Sequence, residues 1–88
     1  GKIGIFGYEN DKNEIVIQGC VPGMPADKAG LMPGDIIVAI DELYISDMKY
    51  GEDEAWLRLS GKAGTKVTLT INRNGQVFDV EVERVAGW

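Results

Sequence analysis

Residues 67–83 leave the least freedom to the fold. Val67, Leu69 and Ile71 alternate with Thr68, Thr70 and Asn72; Asn74-Gly75 follows; then Phe78, Val80 and Val82 alternate with Asp79, Glu81 and Glu83. Apolar residues at every second position put one face of a strand in a core and the other in water. Asn-Gly between two such runs supplies the pair of positive φ angles that a tight hairpin needs. The chain therefore ends in two half-buried antiparallel strands, and the preceding residues must cover their apolar face.

Those preceding residues are cut into short pieces. Residues 3–8 read as a strand containing Gly4 and Gly7, followed by the polar turn Glu9-Asn10-Asp11-Lys12-Asn13 and a second strand over 14–18. Next comes "MPADKAGLMPGDIIVAI", with Met24 first and Ile40 last. Pro25 starts a helical turn over 26–29, Gly30 closes it in the left-handed conformation, and Leu31 folds back on the core. Pro33-Gly34-Asp35 aims the chain into residues 36–40, apolar and branched enough for a strand buried on both faces. Asp41-Glu42 turns into a short strand over 43–45. Over 52–59, Ala55, Trp56 and Leu59 fall at helical spacing, Glu52-Asp53-Glu54 suit the positive end of a helix dipole, and Gly61 ends the element. The fold expected is mostly β within the α+β class. It is a small, partly open barrel or sandwich of five to six strands, capped by one helix and a short helical turn.

Composition narrows the chemistry. A chain of 88 residues suits a single domain, and no apolar run approaches the ~20 residues of a membrane span, so no membrane insertion is expected. The start has no secretory pattern, which places any targeting signal outside this sequence. With a net charge of −5 and scattered basic residues, a nucleic-acid backbone is repelled. The absence of histidine excludes a Ser/His/Asp arrangement and leaves Cys20, the single cysteine, without a base; it reads as a small buried hydrophobe. A serine–lysine pair has only Ser46 or Ser60 to draw on, neither on a Gly-flanked elbow. No catalytic residues, metal ligands or cofactors are assigned to this domain.

The order of these pieces resembles a bacterial PDZ domain over essentially the whole chain, most of all the PDZ domains inside C-terminal processing peptidases, a serine-type family. "PADKAGLMPGDIIVAID" is similar to that family's most diagnostic segment, and "GKAGTKVTLTINRNG" to its turn and hairpin after the peptide-flanking helix. The resemblance implies a module that binds unstructured C-termini of substrate proteins by adding them as a strand to an exposed edge. It implies a carboxylate loop at Lys2, Ile3, Gly4 and Ile5. Backbone amides of Ile3, Gly4 and Ile5 are the donors, and the Lys2 ammonium stands where a glycine is more usual. Phe6, Gly7 and Tyr8 continue the pairing edge. The helix supplies the other wall, through Trp56 and Leu59 or, in the competing phase, Leu57 and Ser60. An indole in that wall suits small or medium apolar C-terminal residues. The chain departs from the family pattern at Met48-Lys49-Tyr50-Gly51-Glu52, where Gly51 and a carboxylate stand in place of a leucine at the start of the helix.

The same resemblance implies one PDZ domain over 1–88, excised from a longer protease chain whose protease domain is its second partner and which works in the periplasm or extracytoplasmic cell envelope. Gly61-Lys62-Ala63-Gly64-Thr65, similar to the Gly-x-x-Gly-Thr of the processing peptidases, favours that parent. The alternatives are the PDZ domain of a high-temperature-requirement (HtrA-type) or intramembrane protease, or of a secretion component, and a structural gate that binds no peptide.

Overall fold

The computed structural model describes residues 2–86. Its elements run β1 (Ile5–Glu9), β2 (Ile15–Cys20), α1 (Pro25–Lys28), β3 (Ile36–Ile40), β4 (Leu43–Tyr44), a 3-10 turn (Ile45–Asp47), α2 (Gly51–Leu59), β5 (Lys66–Arg73) and β6 (Gln76–Glu83). The strands pair antiparallel in one sheet of order β1-β2-β3-β5-β6, with β4 attached to β3. A bridge between Lys2 and Val85 joins the chain just before β1 to the chain just after β6, so the sheet curls toward a barrel.

The C-terminal hairpin forms as its alternation dictates. Asn74 and Gly75 both take positive φ, and Val67, Leu69, Ile71 and Val82 are buried. The first hairpin turns on Asn10, whose Oδ1 accepts from the amides of Lys12 and Glu14 at 3.0 and 2.9 Å. Ile15, Ile17, Ile37, Ile40 and Ile45 complete the core, with no exposure at all.

Five expectations shift. β1 begins at Ile5, because Gly4 takes a φ of +79° and turns the chain out of the ladder before it. β2 continues to Cys20, paired with β1 across a bulge. Ile45 leaves β4 for the 3-10 turn, which aims it and Met48, three residues on, into the core together. In β3, Ile36 and Val38 are only half-buried, so that strand is covered fully on one face. Cys20 is likewise half-buried; its thiol donates to the Leu31 carbonyl at 3.5 Å, and burial pushes its pKa up.

Around α1 the glycine cap works as its sequence position suggests. Gly30 has a φ of +86°, the Leu31 amide donates to the Ala26 carbonyl at 3.2 Å, and Leu31 is buried. The following turn is fixed by a pair that its sequence does not announce. Asp35, 2% exposed, accepts two bonds from Arg73, from Nε at 2.8 Å and Nη2 at 2.7 Å, and one from the Met32 amide at 2.9 Å. Arg73 also reaches the Gly30 carbonyl at 3.1 Å. The loop between β2 and β3 is thereby fastened to the end of β5.

Hydrogen bonding to Arg73 lowers the Asp35 pKa below its ordinary value of 3.8, so the ionised carboxylate adds stability at neutral pH that is lost as pH falls through that range. Replacing Arg73 by Met leaves the Asp35 carboxylate with only the Met32 amide as donor, a deficit at neutral pH. Urea denaturation of Arg73→Met against wild type is expected to show that deficit near pH 7 and a smaller one at pH below 3.8, the ordinary carboxylate value, because Asp35 protonates more readily once its Arg73 bonds are gone. An equal deficit at both pH values contradicts this account.

Candidate functional site

A cleft of about 340 Å³ opens between the start of β1 and α2. Its β side is Lys2, Ile3, Gly4, Ile5 and Phe6, with Val21 beneath; its helix side is Trp56, Leu59 and Ser60. All of these but Val21 are residues that the sequence brought forward, with two further differences. Leu57 is 75% exposed and lines no part of the cleft, so α2 has the phase in which Trp56 and Leu59 face it. Tyr8 and Gly7 lie farther along β1 and outside the cleft; Tyr8 is 47% exposed. Ser60 belongs to the cleft as the residue after the helix, where its amide and hydroxyl both donate to the Trp56 carbonyl at 3.2 Å.

The loop before β1 has its carbonyls turned inward. Ile3 accepts from the Ala26 amide at 2.9 Å and Gly4 from the Val21 amide at 2.9 Å, while Lys2 exchanges bonds with Val85 at 2.9 and 3.1 Å. The amides of Ile3 and Gly4 have no protein acceptor among the described residues. Because the Val21–Gly4 bond flanks the Ile5–Cys20 pair, the Ile5 amide points away from β2 as well. Three successive N–H groups are thus free at one end of the cleft, the arrangement that forms a nest for an anion. Gly4 is obligatory here. A side chain at its positive φ is strained, and a Cβ there would meet the Met24 side chain, with Cγ 2.9 Å away.

α2 is seated by a residue that the sequence reading missed. Arg84, 8% exposed, donates from Nη2 to the Arg58 carbonyl at 2.8 Å and from Nε to the Leu59 carbonyl at 3.1 Å. Nη1 is held by Thr65 Oγ1 at 3.0 Å and the Lys66 carbonyl at 3.3 Å. A cation on the last carbonyls of a helix also suits the negative end of its dipole. Gly61 makes room: a Cβ there would stand 2.8 Å from Arg84 Cζ. At the other end of α2, Glu52 Oε2 accepts from the Glu9 amide at 2.7 Å. The one available signal for Arg84 was a lone cation closing an otherwise acidic, alternating strand.

Among the described residues no group of three or more His, Cys, Asp or Glu side chains is placed to hold a metal ion, and no helix is long and apolar enough to cross a membrane. The cleft offers backbone donors, one ammonium and an apolar wall, which is equipment for binding.

A sequence profile of the PDZ domain matches residues 1–83. The chain is 40% identical over 67 residues to the carboxy-terminal processing protease CtpA of Bacillus subtilis, covering 76% of this chain and 14% of that protein. It is 38% identical to the carboxy-terminal-processing protease of Bartonella bacilliformis, covering 96% of this chain and 20% of that protein. To a probable CtpA-like serine protease of Staphylococcus saprophyticus it is 36% identical, over 82% of this chain and 14% of the relative. The chain therefore spans a fifth or less of these relatives. Among solved structures, a PDZ domain protein from Parabacteroides distasonis superposes with a TM-score of 0.80 at 22% identity, over 93% of this chain and 19% of that one, a likeness of fold alone. A variant of the HtrA-type protease AlgW, solved with a decapeptide, gives 0.79 at 26% identity, over 97% of this chain and 28% of the other. Profile, relatives and fold agree across nearly all of the sequence, and the chain belongs to the PDZ domain family.

Proposed function

We propose that this PDZ domain binds the free C-terminus of an unstructured polypeptide, laid as an added strand against β1, and that it serves as the substrate-recognition module of a C-terminal processing serine protease. The observation that carries the binding reading is the set of amides of Ile3, Gly4 and Ile5, left open at the end of an edge strand beside Lys2. A terminal carboxylate matches that nest in charge and size, and the edge groups of β1 supply main-chain partners for the residues before it. Trp56 and Leu59 bound the space for the last side chain, which suits small or medium apolar residues such as Ala or Val. The protease parent is supported by the names of the curated relatives, and their identities exceed that of the HtrA-type structure. The decapeptide solved with that HtrA-type protease is in keeping with peptide binding. The same reading puts the parent in the extracytoplasmic cell envelope.

So small a contact area suits affinity nearer micromolar than nanomolar. The test is an NMR titration of the labelled domain with short peptides, each with a free and an amidated C-terminus. Shifts at residues 3–7 and at Trp56 and Leu59, abolished by amidation, are the expected result. Binding indifferent to amidation overturns the carboxylate nest, and no binding by any peptide leaves a structural gate.

Two substitutions separate the contributions to the nest. Gly4→Ala is expected to abolish carboxylate-dependent binding, because the positive φ and the Met24 side chain both oppose a Cβ. Lys2→Gln, at an exposed charge, is expected to weaken binding only about two- to five-fold and to flatten its salt dependence. Isothermal titration at low and high salt reads both.

A further inference from the structure

The cleft does not run the length of β1. In an antiparallel ladder alternate residues turn their main-chain groups to the same side, so on β1 the outward groups are those of Ile5, Gly7 and Glu9. An incoming strand whose carboxylate sits at Ile3, Gly4 and Ile5 runs antiparallel to β1. Its last residue lies beside Ile5, the third from the end beside Gly7, and the fifth from the end beside Glu9. The Glu9 amide is already taken, by Glu52 Oε2 at 2.7 Å. Gly51 brings α2 this close: it begins the helix with a φ of +57°, and a Cβ on it would stand 3.2 Å from Glu9 Oε2. Beyond that bond lies a separate polar recess, lined among others by Asn13, Ser46, Lys49 and Asp53.

We infer that Glu52 is a specificity-determining stop, whose carboxylate occupies the last outward amide of β1 and confines main-chain recognition to the final four residues of the bound peptide. The inference rests on the strand-addition reading above and adds its length limit. The bond closes the site twice over. It removes a donor that a longer peptide would need, and it draws the N-terminal turn of α2 onto the edge strand where a fifth residue would lie. Residues upstream of the fourth then leave the groove and contribute through side chains alone.

The experiment is a series of peptides that share one apolar C-terminal residue and grow from three to seven residues at their N-terminus. Each is titrated into the wild-type chain and into Glu52→Ala, with affinity measured by calorimetry and the Glu9 amide followed by NMR. In wild type, affinity is expected to rise up to the fourth residue and then level off, with the Glu9 amide unmoved by any peptide. In Glu52→Ala, the fifth residue is expected to tighten binding about three- to ten-fold, the worth of a main-chain pair, and to shift the Glu9 amide. A wild-type chain that gains comparably at the fifth residue, or whose Glu9 amide moves, overturns the inference; so does a variant with the wild-type length profile. Should Glu52→Ala fail to fold, the wild-type series decides alone. Binding by no peptide of any length removes the strand-addition reading and this stop with it, whereas binding without a plateau removes the stop only.

Discussion

The cleft exists because one buried guanidinium holds α2 against the last hairpin. A nine-residue helix is too short to persist by its own backbone bonds, and α2 buries only Ala55 and Leu59 completely. Its terminal carbonyls, which water would otherwise have to satisfy, go to Arg84. Arg84 is fixed in turn by Thr65 and Lys66 at the start of β5. Burying a charge among dipoles is costly unless its donors are met, and here Nε, Nη1 and Nη2 all are. The wall bearing Trp56 is therefore referenced to the β5–β6 hairpin, the most local and self-sufficient part of the sheet.

The opposite wall is referenced to the same hairpin by another route. Lys2 bridges to Val85, the residue after Arg84, while Ile3 and Gly4 give their carbonyls to Ala26 and Val21. With carbonyls committed inward, the amides have one direction left, and the fold itself holds the three donors in place. Such preorganisation lowers the ordering cost of binding, which matters most where little surface is buried. The segment from Met24 to Leu31 thus has a second duty besides turning the chain: Ala26 holds the loop and Met24 fills the space under Gly4.

What was legible in the sequence was local. The Asn74-Gly75 hairpin, the Gly30 cap with Leu31 behind it, and the acidic first turn of α2 each rest on residues a few positions apart, where period and turn chemistry act directly. The edges of elements were less legible: Gly4 was read inside a strand, although its left-handed φ is what ends the ladder there. The phase of α2 hung on Trp56, Leu57, Leu59 and Ser60, all plausible walls by spacing. Ala55 and Leu59 settle it, since burying both turns Leu57 out to water. Illegible altogether were Asp35 with Arg73, Glu9 with Glu52, and Arg84 with the end of α2. These pairs lie 25 to 43 positions apart, and a charged residue in a polar stretch looks the same whether its partner is water or a distant carbonyl.

The two ends of α2 are consequently held by fastenings of different strength. At the C-terminal end, several bonds from a buried cation meet backbone groups of α2 and β5, so a shift there breaks all of them together. At the N-terminal end a single carboxylate, on a half-exposed residue, meets a single amide of β1. Parting α2 from the sheet therefore breaks one bond at the Gly51 end and several at the Arg84 end. The end held by several bonds coincides with the open amides of Ile3, Gly4 and Ile5. The end held by one bond lies at Glu9, the last residue of β1. One short helix is thus fixed by several bonds where the amides stand open and by one bond where β1 ends.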